Sequence, residues 1–365
     1  MIPLSPRREP LLDALRALAM VGVLVVNALS YPVAPWGAPL GELDPPGIAT
    51  FGAHALAALL LHGKAYPLLA FLFGAGLVLA VRRRGAPSDG RARLRRLLLL
   101  GVLHGALVYC GDILTMYAVC GFTVLAHAGD RPTALYRRWI AACAWAAGAV
   151  LLSLLLAVYA GPSGVADPSD GFGAVTSWVE QAWLNVTAYA TLQVAALVLF
   201  LPVLRAAMLA GMLAARLRLL THRRWRPSWQ RWSWRLLPAG LLLNSVYALG
   251  MTDAMAQRDP AVSLWLALAP AVGWSLTVPL VGLAVLHAGR WASLLAPLGR
   301  RTLSLYLLHS MLCVALFSGA GAGWPLSILG GWAWSLGMWL AAWGLSAWAE
   351  SRGWRGPFEP WLVHR

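Results

Sequence analysis

The feature that most constrains this chain is a succession of long apolar segments separated by short loops rich in arginine. Hydrophobic residues occupy 59% of the 365 positions and charged residues only 12%, whereas a soluble domain carries roughly 25% charged residues. An apolar segment of about 20 residues can cross the hydrocarbon core of a bilayer as a helix. The composition therefore excludes a soluble enzyme and a disordered chain, and it predicts one membrane domain over residues 1–365.

The positive charge of the chain is concentrated in a few loops. The net charge is +15, and Lys64 is the one lysine in the sequence, so the charge comes from arginine. Arginines cluster near the start, at Arg7 and Arg8, and in the segments Arg82–Arg96 and Trp225–Arg235. Cytoplasmic loops of membrane proteins carry such an excess. This pattern favours a topology signal over nucleic-acid binding, and we expect no nucleic-acid partner.

The alternation of apolar runs and basic loops predicts an all-α, multi-pass bundle of about ten membrane-spanning helices with both termini in the cytoplasm. The segment Ile48–Leu61 is too short to cross, and we expect it to be a helix embedded at the outer face, separated from the next span by His62–Lys64. The predicted spans are Leu11–Tyr31, Tyr66–Val81, Leu97–Cys110, Ile113–Ala128, Trp139–Ala160, Ala188–Leu217, Leu236–Leu249, Val262–Leu286, Thr302–Gly319 and Pro325–Ala347.

The four cysteines give no sign of a metal site or a disulfide. Cys110, Cys120, Cys143 and Cys313 each lie in an apolar stretch, and no two have a CxxC spacing. Cysteines in this setting are typically buried structural thiols. We therefore expect neither a disulfide nor a bound metal.

Ionisable side chains at membrane depth are costly and usually mark a function or a structural pair. Asp13 and Arg16 are three residues apart, so they share a helix face and can pair at the inner edge of the first span. Asn27 lies about 16 Å further along that helix, where it can join helices or belong to a site. Lys64 enters an apolar span, and it can either reach for the interface or hold an anion or a carbonyl oxygen.

A second group of polar residues lies in two other spans. His104 is placed mid-span, where it can act as a general base or be a satisfied core histidine. Asp112 follows eight residues later, about 12 Å along the axis of a straight helix, so we expect each of the two to need another partner. Tyr306 and His309 are three residues apart on one face of a later span, where hydrogen bonding between helices is the alternative to a role in a site.

Five motifs, in order along nearly the whole chain, resemble the YeiB-like family of bacterial inner-membrane proteins. They are LDALRALAMVGVLVVN, GKAYPLLAFLFGAGL, LLLGVLHGALVYCGDILTMYA, LGRRTLSLYLLHSMLCVALF and RGPFEPWL. That family is similar, more distantly, to the transmembrane acyltransferases of the acyltransferase-three family and to lysosomal heparan-alpha-glucosaminide N-acetyltransferase. The resemblance implies a location in the bacterial inner membrane, in contact with membrane lipids.

The resemblance also implies an activity, namely the transfer of an acyl group from cytoplasmic acyl-CoA, with acetyl-CoA first among the donors, to an acceptor at the outer face. The acceptor would be a sugar, a lipid headgroup or a small metabolite. The acyltransferase-three pattern has an arginine, ten residues and then a catalytic histidine, but here Asn27 stands at that spacing from Arg16, so this histidine is missing. The candidate catalytic residues are His104, Asp112, Asn27 and Lys64. The candidate substrate-binding residues are Arg16, Asp13, Tyr117, Tyr306, Arg300, Arg301, His309 and Glu359.

In this hypothesis each group has a stated role. Arg16, Arg300 or Arg301 would bind the phosphates of CoA at the cytoplasmic mouth. Asn27 or Lys64 would stabilise the oxyanion, and His104 would deprotonate the acceptor. Two other classes stay open, a transporter or exporter of a small molecule and a non-catalytic membrane scaffold, and the sequence does not decide whether the chain forms a homodimer.

Overall fold

The computed structural model describes residues 9–30, 47–84, 87–159, 175–257 and 261–362. Arg7 and Arg8 and the predicted span ends Tyr31 and Ala160 lie outside these residues. The regular secondary structure of the described part is helical, as predicted. The helices are α1 (Pro10–Ser30), α2 (Ile48–Leu60), α3 (Ala65–Arg84), α4 (Pro87–Leu107), α5 (Leu114–Leu125), α6 (Pro132–Tyr159), α7 (Trp178–Leu199), α8 (Leu201–Leu217), α9 (Arg226–Ala256), α10 (Val262–Leu286), α11 (Arg290–Gly299), α12 (Thr302–Phe317), α13 (Ile328–Ser351) and α14 (Glu359–Leu362).

The outer surface of this helical assembly is apolar. Leu151 and Leu155 on α6 are 57% and 58% exposed, and Leu242 on α9 is 66% exposed. Apolar side chains in such number do not face water on a soluble protein, but they suit a surface in contact with lipid tails. Within the described residues, five helical stretches are long and apolar enough to cross a membrane, namely Pro10–Ser30, Ile48–Arg82, Pro132–Tyr159, Trp178–Leu199 and Val262–Leu286. The chain is an all-helical membrane protein.

Helix α1 forms the centre of the assembly. Its residues Ala14, Ala17, Leu24 and Val25 have no exposed surface, and it packs against α3, α11, α12 and α13. The approach of α11 is close because Gly299 lies on the backbone of α1, where a Cβ atom would overlap the carbonyl oxygen of Asp13. Residues of α1 that the sequence places at a membrane edge are therefore enclosed by other helices.

The predicted interruption after the second apolar segment is confirmed. Helix α2 ends at Leu60 and α3 begins at Ala65, with a turn between them. Gly63 in this turn has a φ of +65°, and a Cβ atom there would overlap the carbonyl oxygen of Ala269 on α10. The turn therefore needs glycine for its backbone conformation and for the close approach of α10.

Three predicted boundaries are wrong. The predicted single span Ala188–Leu217 is split into α7 and α8 at Phe200, because Pro202 has no amide hydrogen to continue the helix. The segments Arg82–Arg96 and Trp225–Arg235, predicted to be loops, are largely helical. In both, a proline in the first turn begins a helix in a sequence rich in arginine, which is a good helix former.

Candidate functional site

The chain reverses direction directly after His104, and this turn brings two distant residues together. Helix α4 ends at Leu107, where the amides of Val108 and Tyr109 both donate to the carbonyl of His104. Helix α5 then starts at Leu114, so Asp112 returns alongside the last turn of α4. The expectation that each of these two side chains needs another partner is wrong, because it rested on the length of a straight helix and Asp112 lies beyond the turn that ends α4.

His104 and Asp112 form a direct and almost fully enclosed pair. Nδ1 of His104 lies 2.9 Å from Oδ1 of Asp112, and the two side chains are only 2% and 0% exposed. The amide of Thr115 donates to Oδ2 of Asp112 at 2.9 Å, and the hydroxyl of Tyr306 donates to Oδ1 at 3.4 Å. Three donors thus converge on this carboxylate, which stabilises a negative charge away from water.

Two glycines on α4 make room for this arrangement. A Cβ atom at Gly101 would lie 2.5 Å from the amide nitrogen of Thr115 and 2.9 Å from Oδ2 of Asp112. A Cβ atom at Gly105 would overlap the ring of Tyr189 on α7. The hydroxyl of Tyr189 in turn shares a hydrogen bond of 2.7 Å with the hydroxyl of Thr115. The absence of a side chain at these two glycines therefore permits the close contacts of α4 with Thr115 and Tyr189.

The second nitrogen of His104 has no partner. Nε2 is buried without a hydrogen bond among the described residues, and the ring lies against that of Tyr306 with a centroid distance of 4.9 Å. Because Nδ1 donates to Asp112, a neutral His104 presents the lone pair of Nε2. An oriented imidazole with an open Nε2 is the form that a general base requires.

A cavity of about 430 Å³ lies between α1, α3, α5 and α12. His104 and Asp112 do not line it, but Tyr306, which contacts both, does. Along α1 the cavity extends from Leu12 to Val23, about 16 Å at 1.5 Å per residue. It reaches Leu114, close after Asp112 in the chain, and Tyr306, which also contacts His104. The charged residues that line it are Glu9, Asp13, Arg16, Arg93, Arg300 and Glu359. This charged lining comes from segments that the predicted topology puts at the cytoplasmic face. In that topology the cavity lies on the cytoplasmic side, away from the outer face where the acyl acceptor is expected.

The arginines predicted to bind phosphate are already paired with carboxylates or carbonyls. Arg16 donates to Asp13 at 2.5 Å, as predicted, and to the carbonyl of Leu72 at 3.1 Å. Arg300 lies 2.9 Å from Glu350 and 3.7 Å from Asp13.

Arg301 does not line the cavity. It lies 3.0 Å from Glu350 and also donates to the carbonyls of Pro297 and Trp354. Much of the positive charge of this group is therefore neutralised within the protein.

Glu359 holds the C-terminal segment against α12. Its Oε1 accepts from the amide of Ser304 at 2.9 Å, and the Ser304 hydroxyl donates to Oε2 at 2.5 Å. Ser304 is in the first turn of α12, whose unpaired amides favour a carboxylate. Gly356 has a φ of +90°, and a Cβ atom there would overlap Oε2 of Glu359. This contact is structural, and Glu359 also borders the cavity.

The remaining predicted residues are distributed over several places. Tyr117 lines the cavity and donates to the carbonyl of Tyr66 at 2.6 Å. Asn27 is half-buried on α1, outside the cavity lining. His309 is fully buried, with its ring nitrogens 3.6 Å and 3.8 Å from the sulfur of Cys313.

Lys64 belongs to a separate cluster. Its Nζ donates to the carbonyls of His62 at 3.0 Å and Ala58 at 3.4 Å. The hypothesis that the four candidate catalytic residues form one site is therefore wrong for Asn27 and Lys64. Of the four, the structure brings together only His104 and Asp112.

Three further residues of the site were missed from the sequence. Thr115 donates to Asp112, Glu350 binds Arg300 and Arg301, and Arg93 lines the cavity. The three-residue spacing from Asp112 to Thr115 is that of a carboxylate capping a helix start, and this signal was available. Glu350 and Arg93 carried no such signal, because their partners come from distant segments.

Comparison with known proteins identifies one family and several uncharacterized proteins that are similar to this chain. Residues 214–365 match the family described as "Protein of unknown function (DUF418)". The chain is 27% identical to the uncharacterized protein YeiB of Escherichia coli strain K12 over 92% of this chain and 90% of that protein. It is 35% identical to the uncharacterized protein YxaH of Bacillus subtilis strain 168, over 36% of this chain and only 35% of that relative.

The fold and the enclosed polar pair define the class of this protein, and the comparisons define its family. Its helices and its lipid-facing exterior make it a helical membrane protein with a polar site enclosed among the helices. The match to YeiB over nearly the full length of both chains, together with the family match, places it in the YeiB-like family.

Proposed function

We propose that this protein is an acyltransferase of the bacterial inner membrane that transfers an acyl group from cytoplasmic acyl-CoA to a hydroxyl or amine acceptor. The observation that carries the proposal is the buried His104–Asp112 pair, in which Nε2 of His104 has no hydrogen bond among the described residues. Tyr306, which contacts both residues, lines a cavity of about 430 Å³. Pockets for small organic ligands have volumes of about 300–1,000 Å³. A long, largely apolar cavity with charged residues at its border suits a linear donor that has a polar end and an uncharged arm.

The reaction follows from the chemistry of these residues. His104 Nε2 takes the proton of the acceptor hydroxyl or amine, whose oxygen or nitrogen then attacks the thioester carbonyl carbon. The C–S bond breaks as the tetrahedral intermediate collapses, and the sulfur of CoA leaves with the proton that His104 returns. Asp112 holds the imidazole in the tautomer with Nδ1–H and stabilises its charged form, as the carboxylate does in other His–Asp pairs.

The direct test is the release of CoA from acetyl-CoA by the purified protein, followed chromatographically with water and with membrane lipid extract as acceptors. We expect His104→Ala to lower the rate by about 10²–10⁴-fold, the usual contribution of a general base, with little change in acetyl-CoA binding. His127→Ala is the matched control, because His127 pairs with Asp130 in an outlying turn. Turnover that survives in His104→Ala, or a wild-type protein that binds no acyl-CoA at millimolar concentration, would overturn the proposal.

The proposal includes a membrane arrangement of about ten spans with both termini in the cytoplasm. The helix ends supply better reporter positions than the predicted loops, because Arg96 and Arg235 lie within α4 and α9. A reporter inserted at Thr221 should be cytoplasmic, and one in the segment Gly161–Thr176 should be outside. A reversed signal at Thr221 would contradict the arrangement.

A transporter is the second candidate, and the separate cluster of His62, Lys64 and Tyr247 favours it. These ionisable side chains are buried between α2, α3 and α9, and such groups in a membrane often carry protons. The two candidates differ in what they need. Substrate uptake into proteoliposomes driven by a pH gradient without CoA, lost in Lys64→Met and retained in His104→Ala, would identify a transporter.

A further inference from the structure

A second cavity, of about 500 Å³, lies at the ends of α3 and α8. Its polar lining includes Arg82, Arg218, Thr221 and His222, and we call it the Arg82–Arg218 cleft. Glu9 is the one carboxylate that borders it among the described residues. Arg16 and Arg300 in the first cavity bind carboxylates, whereas neither Arg82 nor Arg218 forms an ion pair within the described part of the chain.

The conformation of Arg218 sets it apart. It caps the C-terminus of α8 with φ +54° and ψ +40°, in the left-handed region where glycine is usual. It is the one residue other than glycine with positive φ among the described residues. Glycine would adopt this backbone conformation without strain. The presence of arginine at this position therefore indicates that its side chain has a function.

The surroundings of the cleft leave donors available for an anion. The carbonyl of Leu217 at the end of α8 accepts from the indole of Trp225 at 3.1 Å and from Arg224 at 3.4 Å, so it is satisfied. Nδ1 of His222 accepts from the amide of Arg224 at 3.1 Å. A neutral His222 therefore carries its proton on Nε2, which can donate to a ligand.

We propose that the Arg82–Arg218 cleft binds a phosphate group of an organic phosphate. Two guanidinium groups present planar donors that match phosphate oxygens, and the Thr221 hydroxyl and His222 add single donors. The two cavities share the walls formed by Glu9, Leu12 and Leu79. The phosphate site therefore lies beside the first cavity, with these three residues between or bordering both. The arrangement of the residues that line the cleft supports this site, so it does not depend on the proposed acyl transfer.

Binding of labelled pyrophosphate to the full-length protein in an uncharged detergent tests this site. We expect saturable binding that weakens about tenfold or more in the double variant Arg82→Gln/Arg218→Gln, because two charge-assisted contacts are lost. Arg82→Lys/Arg218→Lys keeps the charge and should retain most of the affinity. Arg231→Gln/Arg235→Gln is the matched control, because it removes the same charge from exposed positions on α9 and should leave binding within about twofold.

The source of the phosphate is decided by a second arm in lipid nanodiscs. Displacement of pyrophosphate by phosphatidylglycerol but not by phosphatidylcholine would identify a lipid headgroup as the occupant, and no displacement by either would identify a soluble organic phosphate. Both outcomes support the cleft as a phosphate site. Equal weakening in the two Gln double variants, or no saturable binding by a folded wild-type protein, would overturn it. Acetyl-CoA turnover is read separately, so failure of this site and failure of the proposed reaction are distinguishable.

Discussion

The protein buries two histidine clusters, and they are held together in different ways. In the first, His104 faces the carboxylate of Asp112, which also accepts from the Thr115 amide. In the second, His62 lies 3.2 Å from the hydroxyl of Tyr247, and Lys64 donates only to backbone carbonyls. The first cluster contains an opposite charge for its histidine, whereas the second contains two basic groups without a carboxylate among their hydrogen-bond partners.

This difference has energetic consequences. Breaking a buried pair by removing one partner leaves an uncompensated group and is strongly destabilising. Burying a cation without a counter-charge costs free energy. Removing that cation therefore removes the cost, and this offsets much of the stability lost with its hydrogen bonds. We therefore expect the first cluster to stabilise the fold through its side chains and the second to depend on the backbone turn that contains it.

The largest effect is expected at Asp112. Asp112→Ala leaves His104, Thr115 and Tyr306 without their common acceptor and should lower the free energy of unfolding by about 3–5 kcal/mol. The buried thiols Cys110, Cys120 and Cys313 supply the measurement, because a fluorogenic maleimide reacts with them as the protein unfolds in detergent.

The control for this variant is Asp130→Ala, which removes a partly exposed carboxylate 3.0 Å from Arg138. Surface pairs contribute about 0–1 kcal/mol, so the control should change little. If Asp112→Ala and Asp130→Ala lowered the free energy of unfolding equally, the enclosed His104–Asp112 pair would stabilise the fold no more than a surface pair.

The next effect is expected at the turn that holds the second cluster. Gly63→Ala forces a side chain into a positive φ and against the carbonyl of Ala269, so the free energy of unfolding should fall by about 2 kcal/mol or more. Gly148→Ala on α6 is the control, because open space surrounds that position. It should stabilise the helix by about 0.5–1 kcal/mol, and a comparable loss there would contradict the argument.

A smaller effect separates the two tyrosines. Tyr247→Phe removes the hydroxyl at 3.2 Å from His62 and should cost about 1–2 kcal/mol, since a buried ring nitrogen loses its partner. Tyr306→Phe removes a hydrogen bond of 3.4 Å to Asp112, which keeps two other donors, so thermal unfolding should show a smaller loss. If Tyr306→Phe lowered the stability more than Tyr247→Phe, the first cluster would depend more on its tyrosine hydroxyl than the second cluster does.

The smallest effect is expected at Lys64. In Lys64→Met the carbonyls of Ala58 and His62 lose a donor, which costs about 1–3 kcal/mol, but the cost of burying an ammonium is removed. The two changes offset each other, so chemical unfolding should differ from wild type by less than about 1 kcal/mol. A loss as large as that of Asp112→Ala would show that the lysine has a counter-charge.

The sequence predicted the helices better than it predicted their ends. The bounds of α10 agree with the predicted span Val262–Leu286, because its apolar run is long and is bounded by charged residues. The split at Phe200 and the helical start of α9 were missed, since polarity indicates where a membrane ends but does not indicate where a helix ends.

For the site, the sequence identified the right residue types but not their partners. His104, Asp112 and Tyr306 were singled out because ionisable and hydroxyl groups are rare at such depth. Their contact depends on the reversal after Leu107, which a straight-helix estimate excluded. Arg300 and Arg301 were predicted to bind a ligand, but Glu350 neutralises them from α13, some 50 residues away in the chain.

Hydrophobic length, the distribution of arginine and motif order are properties of the chain, and they were enough to identify an apolar, helical membrane protein of the YeiB-like family. The pairing of buried groups, the position of the cavities and the arginines that keep an unneutralised charge could be read only from the folded chain, because they depend on distances between helices. Such distances are set by close contacts like those of Gly101 with Thr115 and Gly299 with Asp13, which join residues far apart in sequence.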